Sequence, residues 1–214
     1  MPAPPMIFLA LCAFFVLGLV YAEHGGNDDL KRFFKPAASL SFILAGIAAG
    51  ALDAPSGQAI LAGLVFCAIG DVLLIPRSPA HFLGGMAAFA LGHGAYIAAF
   101  LIGGAAISGL SIAALALMLS LSAGVLIGLR NRLGAMKGPV AAYSLIISVM
   151  VAAGAAHWSF APSANSGALA AAAVAFALSD VSVARDRFGR NSFINRLWGL
   201  PLYYAAQCLF AVNV

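Results

Sequence analysis

Two carboxylic acids lie inside otherwise apolar stretches of this chain. Asp71 falls in GLVFCAIGDVLLIP, from Gly63 to Pro76, and Asp180 in AVAFALSDVSVA, from Ala173 to Ala184. Aligned on the acid, the two runs share Val65/Val174, Ala68/Ala177 and Val72/Val181, with small Gly70 and Ser179 preceding each carboxyl. A carboxyl at membrane depth costs about 3 kcal/mol even on the lenient insertion scale, so it marks a functional site whose partner has to be found. The natural partner for each acid is the other. Two carboxyls sharing a low-dielectric site do not both ionise, so the pair holds a proton and offers an acid and a base in one place. That is the logic of glycoside hydrolysis, in which one acid protonates the substrate, an oxocarbenium-like species develops and a carboxylate directs water. The enol ether of a lipid breaks by related steps: protonation of the vinyl carbon, addition of water, and collapse of the hemiacetal to an aldehyde and an alcohol.

Other polar groups collect around the acids. Lys35 stands at the edge of the second apolar run, Tyr143 early in the sixth, and Tyr203, Tyr204 and Gln207 in the eighth. Ser179 precedes its Asp. His93 and Tyr96, within one helical turn of each other, are placed to floor a pocket. Each has a plainer reading when taken alone: an interhelical hydrogen-bonder for an Asp or His, a snorkelling anchor for Lys35, an interface-belt residue for the tyrosines. Their convergence on two acids is what favours a site. His24, His81 and His157 lie in loops without ligand spacing, and Cys12, Cys67 and Cys208 read as small apolar residues of the spans. No GxSxG elbow or phosphate-cradling glycine loop is present.

The elements that must position these groups are membrane helices. With 63% hydrophobic and 8% charged residues, the chain is not a soluble domain. Apolar runs of spanning length predict helices over 6–22, 36–52, 57–75, 82–102, 106–129, 138–156, 165–184 and 195–212. The expected fold is an all-α integral membrane bundle of eight transmembrane helices in one domain, arranged as two parallel four-helix halves if the likeness between the two Asp runs reflects a repeat. The first run has no preceding Lys or Arg and reads as a retained helix, not a cleaved leader. All 11 Lys and Arg residues fall between spans one and two, three and four, five and six, or seven and eight. The positive-inside rule therefore places those loops in the cytoplasm and both termini outside, so the basic balance of +4 reports orientation and not nucleic acid. At 1.5 Å per residue, each Asp sits about 6 Å below the cytoplasmic surface, level with the other.

Lys35-Pro36, FCAIGDVLL at Phe66 to Leu74, FLGGMAAFALGHGAY at Phe82 to Tyr96, ALSDVSVA at Ala177 to Ala184 and LYYAAQCLFA at Leu202 to Ala211, in this order, resemble the YhhN family of TMEM86-like lysoplasmalogenases. The resemblance runs from Lys35 to the end. It implies an eight-span hydrolase that cleaves the vinyl ether of a lysoplasmalogen, or a related lysolipid ether, to a fatty aldehyde and a glycerophospho-alcohol. Asp71 and Asp180 match the family's catalytic aspartates, while Lys35, His93, Tyr96, Tyr143, Ser179, Tyr203 and Gln207 match its polar pocket positions. Tyr204 joins them by its depth in span eight, beside Tyr203. Arg185-Asp186-Arg187-Phe188, after span seven, is more charged than the family pattern suggests.

The combined expectation is an ether hydrolase in a bacterial inner membrane, with a lysophospholipid as substrate, Lys35 meeting the lipid phosphate, no metal and no cofactor. A proton-coupled transporter or exporter of a small or lipidic solute uses buried acids too, and a lipid-binding scaffold needs them only as helix bridges. The polar groups crowd one leaflet instead of the midplane, and no span is broken near its middle, which favours the enzyme. Headgroup, chain length and oligomeric state are not written in these residues.

Overall fold

The computed structural model describes residues 4–214, which form eight helices in chain order: α1 (Pro4–His24), α2 (Asp28–Ala48), α3 (Pro55–Leu73), α4 (Pro79–Ile102), α5 (Gly109–Leu129), α6 (Lys137–Phe160), α7 (Ala164–Phe188) and α8 (Phe193–Val212). A 3₁₀ turn, Gly134–Met136, leads into α6. Six of the eight, α1 and α3 through α7, are long and apolar enough to cross a membrane. The remaining two, α2 and α8, are diluted by the charged and polar residues that build the site. The chain is an α-helical membrane protein.

Helix starts follow local chemistry. Ser163 and Ser108 cap α7 and α5 in reciprocal boxes with Ser166 and Ser111, and Pro55 and Pro79 occupy first-turn positions where a missing N–H costs nothing. Several boundaries depart from the sequence expectation; α2 ends at Ala48, four residues early, α6 runs four residues past Ala156, and two others show their cause. The second helix begins at Asp28, not at Pro36. Asn27 caps it by accepting from the Asp29 and Leu30 amides, and Asp28 and Asp29 in the first turn pair with Lys31 and Arg32 three residues on. These local terms carry the helix through Pro36, whose missing N–H leaves only the Arg32 carbonyl without its intrahelical donor. The seventh helix runs four residues past Ala184, because Arg185 and Arg187 in its last turn suit the negative end of the helix.

Consecutive helices pack as hairpins, α1 on α2, α3 on α4, α5 on α6 and α7 on α8. Across the bundle α4 meets α6, while α8 meets α1, α2 and α3. One spacing recurs through the two halves. Asp71 and Asp180 are 109 residues apart, and so are the first residues of α2 and α6 (Asp28, Lys137) and of α3 and α7 (Pro55, Ala164). The cross-bundle contacts α2–α8 and α6–α4 are counterparts under that spacing, since each joins the second helix of one half to the fourth of the other.

The core is closed by Phe42, Leu64, Tyr96, Phe100, Met150, Phe176 and Phe210, all essentially inaccessible. Helices α7 and α8 approach closely at Gly199, where an added Cβ would lie 2.6 Å from Ser182 Cβ and closer still to its hydroxyl. Ser182 is buried and its hydroxyl donates to the Ser179 carbonyl at 2.7 Å, so it has nowhere to retreat. Gly199→Ala should therefore cost about 2 kcal/mol of stability, the usual penalty for overpacking, and lower the melting temperature of the detergent-solubilised protein by several degrees. An unchanged melting curve would mean that the two helices separate there at no cost.

Candidate active site

Asp71 lies two residues before the end of α3 and is 2% exposed. Its Oδ2 accepts hydrogen bonds from Ser39 Oγ of α2 and Tyr203 OH of α8, both at 2.7 Å, and its Oδ1 stands 3.5 Å from Lys35 Nζ. Ser39 and Lys35 are four apart on one face of α2, so both point at α3 together. Asp180, on α7, accepts from Tyr143 OH of α6 at 2.6 Å, and His93 Nε2 of α4 lies 3.8 Å from the same oxygen. Each acid is thus served by the second helix of its own half and the fourth helix of the other half. Ser39 of α2 also has a positional counterpart in Ser148 of α6, again 109 residues on, which donates to the Ser144 carbonyl at 2.7 Å, whereas Ser39 gives its one proton to Asp71.

Both acids line one cavity of about 380 Å³, a size suited to a small ligand or to one end of a lipid. Lys35, Tyr143, Ser179 and Tyr203 line it as well. Ser179 spends its hydroxyl on the Phe176 carbonyl at 2.7 Å, so toward the cavity it is chiefly a small surface. The other four expected contact residues stand one layer back. Tyr96 OH donates to Gln207 Oε1 at 2.7 Å, and Gln207 Nε2 donates to Tyr203 OH at 3.1 Å, which in turn donates to Asp71. Tyr204 OH donates to the Lys35 carbonyl at 3.3 Å. His93 bonds Tyr143 OH through Nε2 at 2.9 Å while its buried Nδ1 has no partner. Although His93 and Tyr96 share a turn of α4, they serve opposite networks: His93 faces α6 and α7, Tyr96 faces α8.

An aromatic wall separates the two networks. Phe176 packs edge-on against both His93 and Tyr203, with ring centroids at 4.6 and 5.2 Å, and Phe89 packs edge-on against Phe176 and Tyr203. Behind them Tyr96 is stacked on Phe210 at 3.9 Å, which fixes the base of the Gln207 chain. Apolar residues of α5 and α6, among them Met118, Leu121 and Ile147, complete the cavity on the side away from Asp71. The cavity also carries a rim of ion pairs: Glu23 is 3.3 Å from both Lys31 and Arg196, and Arg196 grips Asp186 at 3.0 Å. The rim ties the ends of α1 and α7 to the starts of α2 and α8.

Sequence reasoning missed Ser39, although its place one turn from Lys35 was available. It also missed the rim, since Glu23, Asp186 and Arg196 read individually as loop charges.

The fold and the site together define a membrane-embedded helical protein with one polar-headed, apolar-walled cavity holding two carboxyls. The chain belongs to the YhhN family, whose model matches residues 30–214. It is 32% identical over 220 residues to bovine lysoplasmalogenase TMEM86A, covering 96% of this chain and 85% of the relative. Human lysoplasmalogenase TMEM86A is also 32% identical, over 216 residues and the same shares of both chains, and human lysoplasmalogenase TMEM86B is 37% identical over 164 residues, covering 74% and 66%. No solved structure matches the chain.

Proposed function

We propose that this protein is a lysoplasmalogenase-type hydrolase, acting on the vinyl ether of a lysoplasmalogen or related lysolipid ether through Asp71 and Asp180. The observation that carries the reading is the joint presence of both acids on one cavity whose walls are apolar and whose rim is charged. Such a cavity fits a single-chain lipid, with the headgroup at the rim, the alkyl chain toward α5 and α6, and the ether oxygen beside the acids. The relatives' names point the same way.

The two acids differ in environment, and we infer a division of roles from that difference. Asp71 accepts two hydroxyl hydrogen bonds and faces the Lys35 ammonium, a set of donors arranged around a carboxylate. It is the carboxylate that stabilises the oxocarbenium ion and directs water. Asp180 has one hydroxyl partner and more access to the cavity, so it is the acid that delivers a proton to the vinyl carbon distal to the ether oxygen. Water then adds to the carbon bearing oxygen, Asp71 takes the proton released, and the hemiacetal breaks to aldehyde and glycerophospho-alcohol. One water is consumed and no charge is created overall.

Reprotonation of Asp180 has a route. Tyr143 has a single hydroxyl proton and two partners, so it either donates to Asp180 while His93 Nε2–H donates to it, or donates to His93 while a protonated Asp180 donates to it. Passing from the first to the second moves one proton, through Tyr143, from an imidazolium at His93 to the Asp180 carboxylate, and leaves a neutral ring and a neutral acid. Tyr203, held by Gln207 and Tyr96, fixes the orientation of Asp71 in the same way that second-layer groups orient ligands elsewhere. In this reading all eight helices cross the membrane, α2 and α8 turning apolar residues such as Leu40, Ile47, Leu197 and Trp198 outward and their polar residues inward, and the rim faces the cytoplasm with both termini outside.

The test is direct. Purified protein in detergent, given a 1-alkenyl lysophospholipid, should release fatty aldehyde and the glycerophospho-alcohol in equal amounts and leave the saturated 1-alkyl ether intact. Absence of aldehyde, together with proton-coupled solute flux in proteoliposomes, would replace the hydrolase by the transporter.

A further inference from the structure

The charged run Arg185-Asp186-Arg187-Phe188 is not idle. It forms the last turn of α7, overhanging the cavity, and Asp186 and Arg187 both line it. Asp186 is engaged with Arg196. Arg187 is engaged differently: its guanidinium lies 4.6 Å from the Phe82 ring centroid, and Nη1 donates to the Arg77 carbonyl at 3.3 Å. Phe188 packs edge-on against the same Phe82, so the ring that supports Arg187 is itself braced. Arg77, in the turn after α3, lines the cavity too.

Among the described residues, the cations of the cavity sort into two kinds. Lys31, Lys35 and Arg196 each have a carboxylate within 4 Å, whereas Arg77 and Arg187 have none. The nearby acids are committed elsewhere, Glu23 to Lys31 and Arg196, Asp28 to Lys31 and Asp186 to Arg196; Asp28 shares a small side hollow with Arg77. Each guanidinium is a planar fork of five N–H donors, of which Arg187 spends one on the Arg77 carbonyl, and the fork matches phosphate oxygens.

We propose that Arg77 and Arg187 form the anion-binding rim of the cavity and hold the phosphate of a single-chain phospholipid. This takes over the place that the sequence gives to Lys35, whose ammonium faces Asp71. The proposal rests on the hydrolase reading for its choice of lipid, and its distances suit that choice. Arg187 lies seven residues beyond Asp180 on the same helix, about 10 Å along the axis. In a lysolipid, five bonds of about 1.5 Å separate the ether oxygen from phosphorus, about 6 Å when extended. A guanidinium-to-phosphate contact of about 3 Å supplies most of the remainder. An ether oxygen beside Asp180 thus places the phosphate beside Arg187.

Binding of the full-length protein to two unreactive probes tests this without turnover: a saturated 1-O-alkyl-glycerophosphocholine and the matching 1-O-alkylglycerol, which lacks phosphate. The native protein should prefer the phospholipid at least tenfold, R77A/R187A should lose that preference while binding the alkylglycerol as before, and R77K/R187K should recover part of it. Inorganic phosphate at millimolar concentration distinguishes the source of the anion: competition in the native protein but not in R77A/R187A means that free phosphate also uses the site, and no competition reserves it for the lipid headgroup. An undiminished preference in R77A/R187A, or no preference in the native protein, overturns the proposal. A chain that binds the probes as predicted yet releases no aldehyde refutes the hydrolase and leaves the phosphate site standing.

Discussion

Asp180→Asn should leave a folded protein that hydrolyses the vinyl ether about a thousandfold more slowly, a loss of about 4 kcal/mol in transition-state stabilisation. An amide keeps the shape of the side chain and still accepts from Tyr143, so binding survives; what disappears is the group proposed to protonate the vinyl carbon. The expected pattern is therefore a fall in kcat with KM within about threefold of the native value. Asp71→Asn should also fall by a hundredfold or more, but with a second symptom. An amide cannot accept as strongly from Ser39 and Tyr203, and it leaves the Lys35 ammonium, with 14% side-chain exposure, without its counter-charge. A buried charge stripped of its partner is costly, so Asp71→Asn should melt earlier than Asp180→Asn by several degrees. Aldehyde release and thermal melting on the same preparations check both statements. Turnover near the native rate in either variant removes that carboxyl from the chemistry.

The legible part of this molecule was its grease and its exceptions to grease. The eight apolar runs predicted eight helices in the observed order, because long hydrophobic segments have few alternatives, and the two acids stood out because a carboxyl there needs a reason. Cations predicted which helix ends lie together, and the ion pairs among Glu23, Lys31, Asp186 and Arg196 join four of those ends. Less legible was where helices start when polar residues lead them. Pro36 suggests a beginning, but Asn27 and two i,i+3 ion pairs outweigh one missing hydrogen bond, and α2 starts eight residues earlier. Least legible was depth within the site. Residue type alone does not separate Tyr143 and Tyr203, which touch the cavity, from Tyr96 and Tyr204, which support the groups that do. That distinction depends on which face of α4 or α8 looks inward, and in a bundle apolar on nearly every side the hydrophobic pattern carries little information about rotation.

The second large effect is expected where the lining meets the layer behind it, at the Tyr143–His93 pair. Tyr143→Phe removes the hydroxyl that joins His93 to Asp180, leaving the carboxyl without its hydroxyl donor and the buried imidazole without the hydrogen bond at Nε2. If that hydroxyl carries the proton that reloads Asp180, kcat should fall about a hundredfold while KM stays within twofold, since Tyr143 would orient the acid and not grip the lipid. His93→Gln should give a similar fall, because it breaks the same chain one link further from the cavity. The decisive quantity is the double variant. Two residues acting in series lose their effect once, so Tyr143→Phe with His93→Gln should be no slower than the worse single variant by more than about threefold. Independent packing roles predict the opposite: the two falls would multiply, toward ten thousandfold, and each variant would show its loss in the melting curve as well. Measured kcat for the four proteins of this cycle, with melting temperatures beside them, distinguishes a proton path through Tyr143 from a pair of buried polar residues that merely satisfy one another.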